Sequence, residues 1–249
     1  MTIERTFTPG PAIIEPNETK TPLAGMPETI ITPVSWEYTA ILNERYGLKR
    51  FAVLVCGDKV PVFTFEYRGR TFGFYRSMLG GPAAALLLEE MIALGAKRFI
   101  FFGSCGSLDH SLTAGNLIVP TAALRDEGTS YHYAPADDFI RVPTADRMAA
   151  ILTELNVPFR LAKTWTTDAF YRETRANAED RKARGCSVVE MECASVMAVG
   201  AFRGVDVYQF LYATDSLAGD AWDSGILSRT PEALREKVLD VALETAYRL

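Results

Sequence analysis

The run Val188-Val189-Glu190-Met191-Glu192-Cys193-Ala194 sets two carboxylates and a thioether where an apolar strand should hand over to a helix. Paired carboxylates so placed suit the hydroxyls of a sugar. In isolation, Glu190 and Glu192 read equally as solvated charges favoured by the dipole at a helix start. They are not isolated. Gly103-Ser104-Cys105-Gly106-Ser107-Leu108 follows one apolar run, and Tyr212-Ala213-Thr214-Asp215-Ser216 ends another with a single acid. A carboxyl in a dry cleft can keep its proton near neutrality and act as a general acid. The competing reading of Asp215 is a turn aspartate bonding its own backbone.

Holding these segments together takes a sheet whose strand ends converge. Short β-branched or aromatic runs at 29–32, 51–56, 60–67 and 71–75 read as opening strands, with Arg68-Gly69 as a hairpin turn. Gly80-Gly81-Pro82 precedes an Ala/Leu/Glu/Met-rich stretch at 83–94, a crossover helix with proline in its first turn. Residues 98–102 read as a buried strand, with 103–106 as the tight loop at its carboxyl end, where ligands of open α/β sheets collect. Further strands are expected at 116–120, 159–165, 186–189 and 205–212, and helices at 144–155, 192–203 and 231–247. This alternation predicts an α/β fold: one domain over 27–249, a central mixed sheet with helices on both faces. Residues 1–26, rich in Pro, Thr and Gly, read as an extended arm able to wrap a neighbouring subunit.

The chain has 249 residues, 48% hydrophobic and 23% charged, with a formal net charge of −5. That balance offers no long-range attraction to nucleic acid or anionic membranes, so a small molecule is the expected partner. Four scattered cysteines and two histidines argue against structural zinc. With no signal-peptide pattern or membrane-length apolar run, a cytoplasmic protein with reduced thiols is expected.

The Glu190 segment, Gly80-Gly81-Pro82, the Gly103 run and Asp126 to Pro135 together resemble the nucleoside phosphorylase family, over about residues 76 to 215. That family comprises purine and uridine phosphorylases and related nucleosidases. The resemblance implies cleavage of the bond between ribose and a nucleobase, without metal or organic cofactor. Glu192, with Glu190 beside it, would take the ribose hydroxyls, Met191 would pack on the sugar, and Phe170 would stack on the base. Asp215 would protonate a departing purine, with Arg229 as a polarising cation, and Ser104, Cys105 and Gly106 would line the acceptor side. His132 reads as structural. The run from Arg125 to Pro135 looks like the uridine branch, yet Thr174 and Ala176 stand where that branch keeps its pyrimidine-reading Gln and Arg. A purine-type base is therefore favoured. Oligomers are the family habit, so a homodimer or a hexamer built from three dimers is expected.

The oxyanion side departs from the family pattern. Its Gly-Asp-Pro-x-Arg loop falls on Pro33-Val34-Ser35-Trp36-Glu37, its second arginine on Phe101, and its arginine lent by a neighbour around Asp58 and Lys59. Desolvating a phosphate dianion without fixed cations is expensive. Two readings stand open: hydrolysis, with Glu37 as the base activating water, and phosphorolysis with inorganic phosphate as co-substrate and Arg76, Lys59, Arg50 or Arg68 as replacement cations. Water is favoured slightly. A third reading is a catalytically silent relative that binds nucleosides or serves as a storage or structural protein.

Overall fold

A computed structural model describes Ile3 and residues 6–249 of the chain. After a helical turn α1 (Pro16–Thr19), the elements run β1 (Thr29–Pro33), α2 (Glu37–Tyr46), β2 (Lys49–Cys56), β3 (Asp58–Tyr67), β4 (Arg70–Tyr75), α3 (Gly81–Ala93) and β5 (Arg98–Ser107). They continue with β6 (Leu117–Asp126), β7 (Phe139–Arg141), α4 (Ala145–Glu154), β8 (Phe159–Thr167), α5 (Arg175–Ala183), β9 (Cys186–Glu190), α6 (Cys193–Arg203), β10 (Asp206–Ser216) and α7 (Glu232–Arg248). This is a single α/β domain around one mixed ten-stranded sheet flanked by helices.

The sheet forks along β5. Its first half pairs parallel with β1, from Thr29 opposite Arg98 to Pro33 opposite Phe102, and its end pairs antiparallel with β9 at Gly106 and Ser107. Along its other edge β5 stays with β10 from Arg98 to Ser107. Because β10 also pairs with β6, β6 with β8 and β8 with β9, the pairings close into a ring of five strands. The remaining arm of the sheet, β1-β4-β3-β2, extends outward from β5. Arg68 and Gly69 both take positive φ, 49° and 74°, the backbone a tight β3–β4 hairpin requires.

Residues 103–106 are thus strand, not the expected loop. They keep their ladder to β10 through a bulge between Ala213 and Asp215. A β-carbon at Gly106 would lie 2.8 Å from Leu217 Cδ1 and 3.1 Å from Val189 Cγ1, so a larger residue there would have to push both side chains aside. Large aromatics fill the core beneath: Phe102 stacks on Phe210 with ring centroids 5.3 Å apart, and Tyr38 meets Phe102 edge-on at 4.9 Å. Phe101, at the place of a family arginine, is buried in this same core.

Of the arm, residues 1, 2, 4 and 5 lie outside the described residues. The rest lies on its own chain, where Glu15 pairs with Arg203 at 2.9 Å, Lys20 with Glu90 at 3.4 Å, and Leu23 N–H donates to Leu94 O at 3.0 Å. No helix among the described residues is long and apolar enough to cross a membrane.

Candidate active site

A cleft of about 650 Å³ opens in the fork of the sheet. Val34 just beyond β1, residues 103–106 of β5, the β9–α6 junction and Asp215 of β10 line it, and the turn after β8 closes one side. Ser104, Cys105, Gly106, Phe170, Glu190, Met191, Glu192 and Asp215, eight residues from four stretches of the chain, all line this one space with side chain or backbone. A larger cavity, about 930 Å³, lies under the arm beside α3 and α6; it contains none of those eight, and three of its four acids, Glu15, Glu89 and Glu90, are already paired with Arg203 or Lys20.

The strand-to-helix handover explains how the two glutamates differ. Glu190, ending β9, is buried with both oxygens engaged: Oε2 accepts the N–H groups of Glu192 (2.8 Å) and Cys193 (2.7 Å), and Oε1 accepts the Thr166 hydroxyl at 2.6 Å. It caps the orphan amides at the start of α6. Its expected role as a ligand contact is corrected accordingly, since a carboxylate so committed has little left for a sugar. Glu192 is different. One oxygen accepts Gly80 N–H at 2.7 Å, which ties the β9–α6 junction to the glycine turn before α3; the Met191 backbone N–H also reaches the carboxyl, and no side chain among the described residues pairs with it.

Burial, and then the charge of Glu190, push the Glu192 carboxyl up to about 8; burial also raises Glu190. An acid whose folded value lies above its ordinary 4.5 contributes stability that is complete below that value and lost as pH climbs through about 8. The urea midpoint is therefore expected to decline between about pH 4.5 and pH 8 and to level off above, and Glu192→Gln to flatten that decline. Parallel pH curves for the two proteins would contradict the electrostatics described.

Phe170 begins a short 3-10 turn after β8 and is 38% exposed, facing the cleft instead of the core. Ser104 is exposed in mid-strand, whereas the Cys105 side chain points the other way into an apolar cluster with Leu112 and Ile118. Burial pushes the Cys105 thiol well up, so it stays neutral. Asp215 Oδ2 accepts Trp222 Nε1–H at 2.8 Å, and Oδ1 accepts the Thr214 hydroxyl at 3.1 Å. The expected cationic helper, Arg229, is exposed and absent from the lining; an indole N–H takes its place.

Three further expectations are corrected. Glu37, expected as a water-activating base, starts α2 outside the cleft lining and forms an ion pair with Arg235 of α7. Within one chain, Lys59 on the β2–β3 hairpin and Arg76 just past β4 line a separate cavity of about 140 Å³ beside Phe63 and Phe74, apart from their own chain's fork. The missed residues are Asp168, Arg172, Glu173 and Trp222. All four lie in irregular turns, where no apolar period marks a residue's direction.

The cleft is therefore acid-rich: Asp168, Glu173, Glu190, Glu192 and Asp215 share it with one cation, Arg172. Such a surface accepts hydrogen bonds from hydroxyls and ring N–H groups and stabilises developing positive charge.

The model of one protein family, the phosphorylase superfamily, matches residues 29–249. The chain belongs to this superfamily. Among curated relatives, a guanosine phosphorylase of Halorubrum lacusprofundi is 28% identical over 56% of this chain and 59% of its own length. A uridine phosphorylase of Thermococcus kodakarensis is 37% identical over 43% of this chain and 40% of its own. A purine nucleoside phosphorylase of Plasmodium vivax is 30% identical over 74% and 76%. In the first two the chain spans less than two thirds of the relative's length. The phosphorylase superfamily match includes the whole cleft, from Val34 to Leu227.

Proposed function

We propose that this member of the phosphorylase superfamily cleaves the N-glycosidic bond of a purine-type ribonucleoside, with water in preference to phosphate as the ribosyl acceptor. The observation that carries the preference is the scarcity of cations in the cleft, where Arg172 alone accompanies five carboxyl groups. A phosphate dianion in that setting meets a desolvation cost without paired cations. A ribosyl ring gaining positive charge is stabilised there instead.

In this reading the Glu192 carboxyl holds the 2′- and 3′-hydroxyls and stabilises the cationic ring as the bond breaks. Met191 packs on the sugar, Phe170 stacks on the base, and Glu173 and Asp215 face the base end. Ser104 stands on the acceptor side. No cofactor enters the chemistry.

Phosphorolysis is the second reading, favoured by the relatives, whose names are those of guanosine, uridine and purine nucleoside phosphorylases. It needs cations from a neighbouring copy, in a homodimer or in a hexamer of three dimers, and Lys59 on the exposed β2–β3 hairpin is the residue best placed to be lent.

Product analysis separates the two. The protein is incubated with adenosine, guanosine, inosine and uridine, with and without inorganic phosphate. Free ribose formed at equal rates in both conditions supports hydrolysis; strict phosphate dependence with ribose 1-phosphate as product ends it. No cleavage of any nucleoside in either condition rejects both.

A further inference from the structure

We propose that Glu173, not Asp215, hands the proton to the departing base. The assignment rests on the nucleoside-cleaving reading above and names a catalytic residue within it. Glu173 follows the turn that carries Phe170, lines the cleft, and is half-buried. Its carboxyl accepts no hydrogen bond and forms no ion pair among the described residues. A half-buried acid facing a ligand-sized space without a partner is poised to exchange a proton with whatever enters.

Asp215 is tied down. Trp222 Nε1–H can only donate, so Oδ2 is an acceptor, and Oδ1 lies 3.1 Å from the Thr214 hydroxyl. A proton on Oδ1 would have to compete with the hydrogen bond that Thr214 already donates there. The arrangement suits Asp215 to be a fixed acceptor that orients the base and leaves the transferable proton to its neighbour.

Electrostatics agree with the geometry. Burial, and then the charge of Asp215, raise the Glu173 carboxyl to about 7, where an acid is both protonated and ready to give its proton up. The other charged groups lining the cleft are Asp168 at the end of β8, Arg172 beside it in the turn, and Glu190 and Glu192 at the β9–α6 junction. In the reaction the electron pair of the C1′–N bond leaves with the base, the Glu173 proton bonds to a base nitrogen, and the acceptor bonds to C1′. Glu173 is left as carboxylate and regains its proton from the attacking water or hydrogen phosphate.

The test exploits a leaving group that needs no acid. A purine nucleoside methylated at N7 is already cationic, so its base departs without a proton. The purine nucleoside cleaved fastest by the wild type is compared with its 7-methyl derivative in the wild type, Glu173→Gln and Asp215→Asn. Glu173→Gln is expected to lose about 10²-fold in kcat on the unmodified nucleoside and less than about threefold on the methylated one. Asp215→Asn is expected to slow both alike. Equal losses on both substrates for Glu173→Gln, or no loss on either, overturn the assignment, as does the leaving-group dependence appearing in Asp215→Asn instead. Wild-type protein that cleaves no purine nucleoside overturns the functional reading, a failure distinct from these.

Discussion

Glu192→Gln is expected to lower kcat/KM for a ribonucleoside by about 10²–10³-fold, the usual cost of removing one well-placed electrostatic group from a transition state. Gly80 N–H holds one oxygen of the carboxyl at 2.7 Å, which fixes the side chain at the wall of the cleft. Glutamine keeps the shape and can still accept from Gly80. It cannot become an anion beside a ribosyl ring that is becoming a cation, and it matches two vicinal hydroxyls less well. Because the charge develops only as the bond breaks, most of the loss should fall on kcat and little on KM. Steady-state kinetics with matched ribo- and 2′-deoxyribonucleosides checks this: the wild type should prefer the ribose substrate, and the variant should lose most of that preference. A variant with unchanged kcat and a raised KM would make Glu192 a binding group only.

Glu190→Ala should cost stability instead, about 3 kcal/mol or more, because three buried donors lose their acceptor and each is worth roughly 1–3 kcal/mol when stranded. These are the amides of Glu192 and Cys193 and the Thr166 hydroxyl, at 2.8, 2.7 and 2.6 Å; a fourth donor, the Thr164 hydroxyl at 3.3 Å, can turn to Val188 O instead. Thr166 Oγ1 in turn accepts Ala194 N–H at 3.0 Å, so the loss spreads along the first turn of α6. Urea denaturation at constant pH measures the change. Glu190→Gln keeps one acceptor oxygen and should fall between the wild type and Ala. A Glu190→Ala protein as stable as the wild type would show that water replaces the carboxylate, and the rigid cap described for α6 would be wrong.

The two neighbours thus show how far a sequence reaches. That Glu190 and Glu192 end a strand at a ligand cleft was readable from the apolar run before them and from the family motif around them. Which glutamate serves the fold and which serves the ligand was not, because that depends on Thr166 and Gly80, brought close only by tertiary structure. Local chemistry placed the Arg68-Gly69 hairpin and proline in the first turn of α3. The helices missed, α2 and α5, bury only Tyr38 and Leu42 in one and Ala178 in the other, too few apolar positions to make a period. Residues 103–106 looked like a loop because glycine and serine favour turns, but pairing along β10 overrides that preference. The cations were hardest to place. Arg76 and Lys59 lie in the outward arm of the sheet, and only its hairpin geometry shows that they face another cavity.

A crystal structure of the protein with a slowly cleaved purine ribonucleoside is the most direct trial of the cleft's role. The sugar hydroxyls should lie within hydrogen-bond reach of Glu192, and the base should stack on Phe170 with its edge toward Glu173 and Asp215. A nucleoside seated instead in the larger cavity under the arm, with the fork of the sheet empty, would show that these carboxyls do not form a nucleoside site.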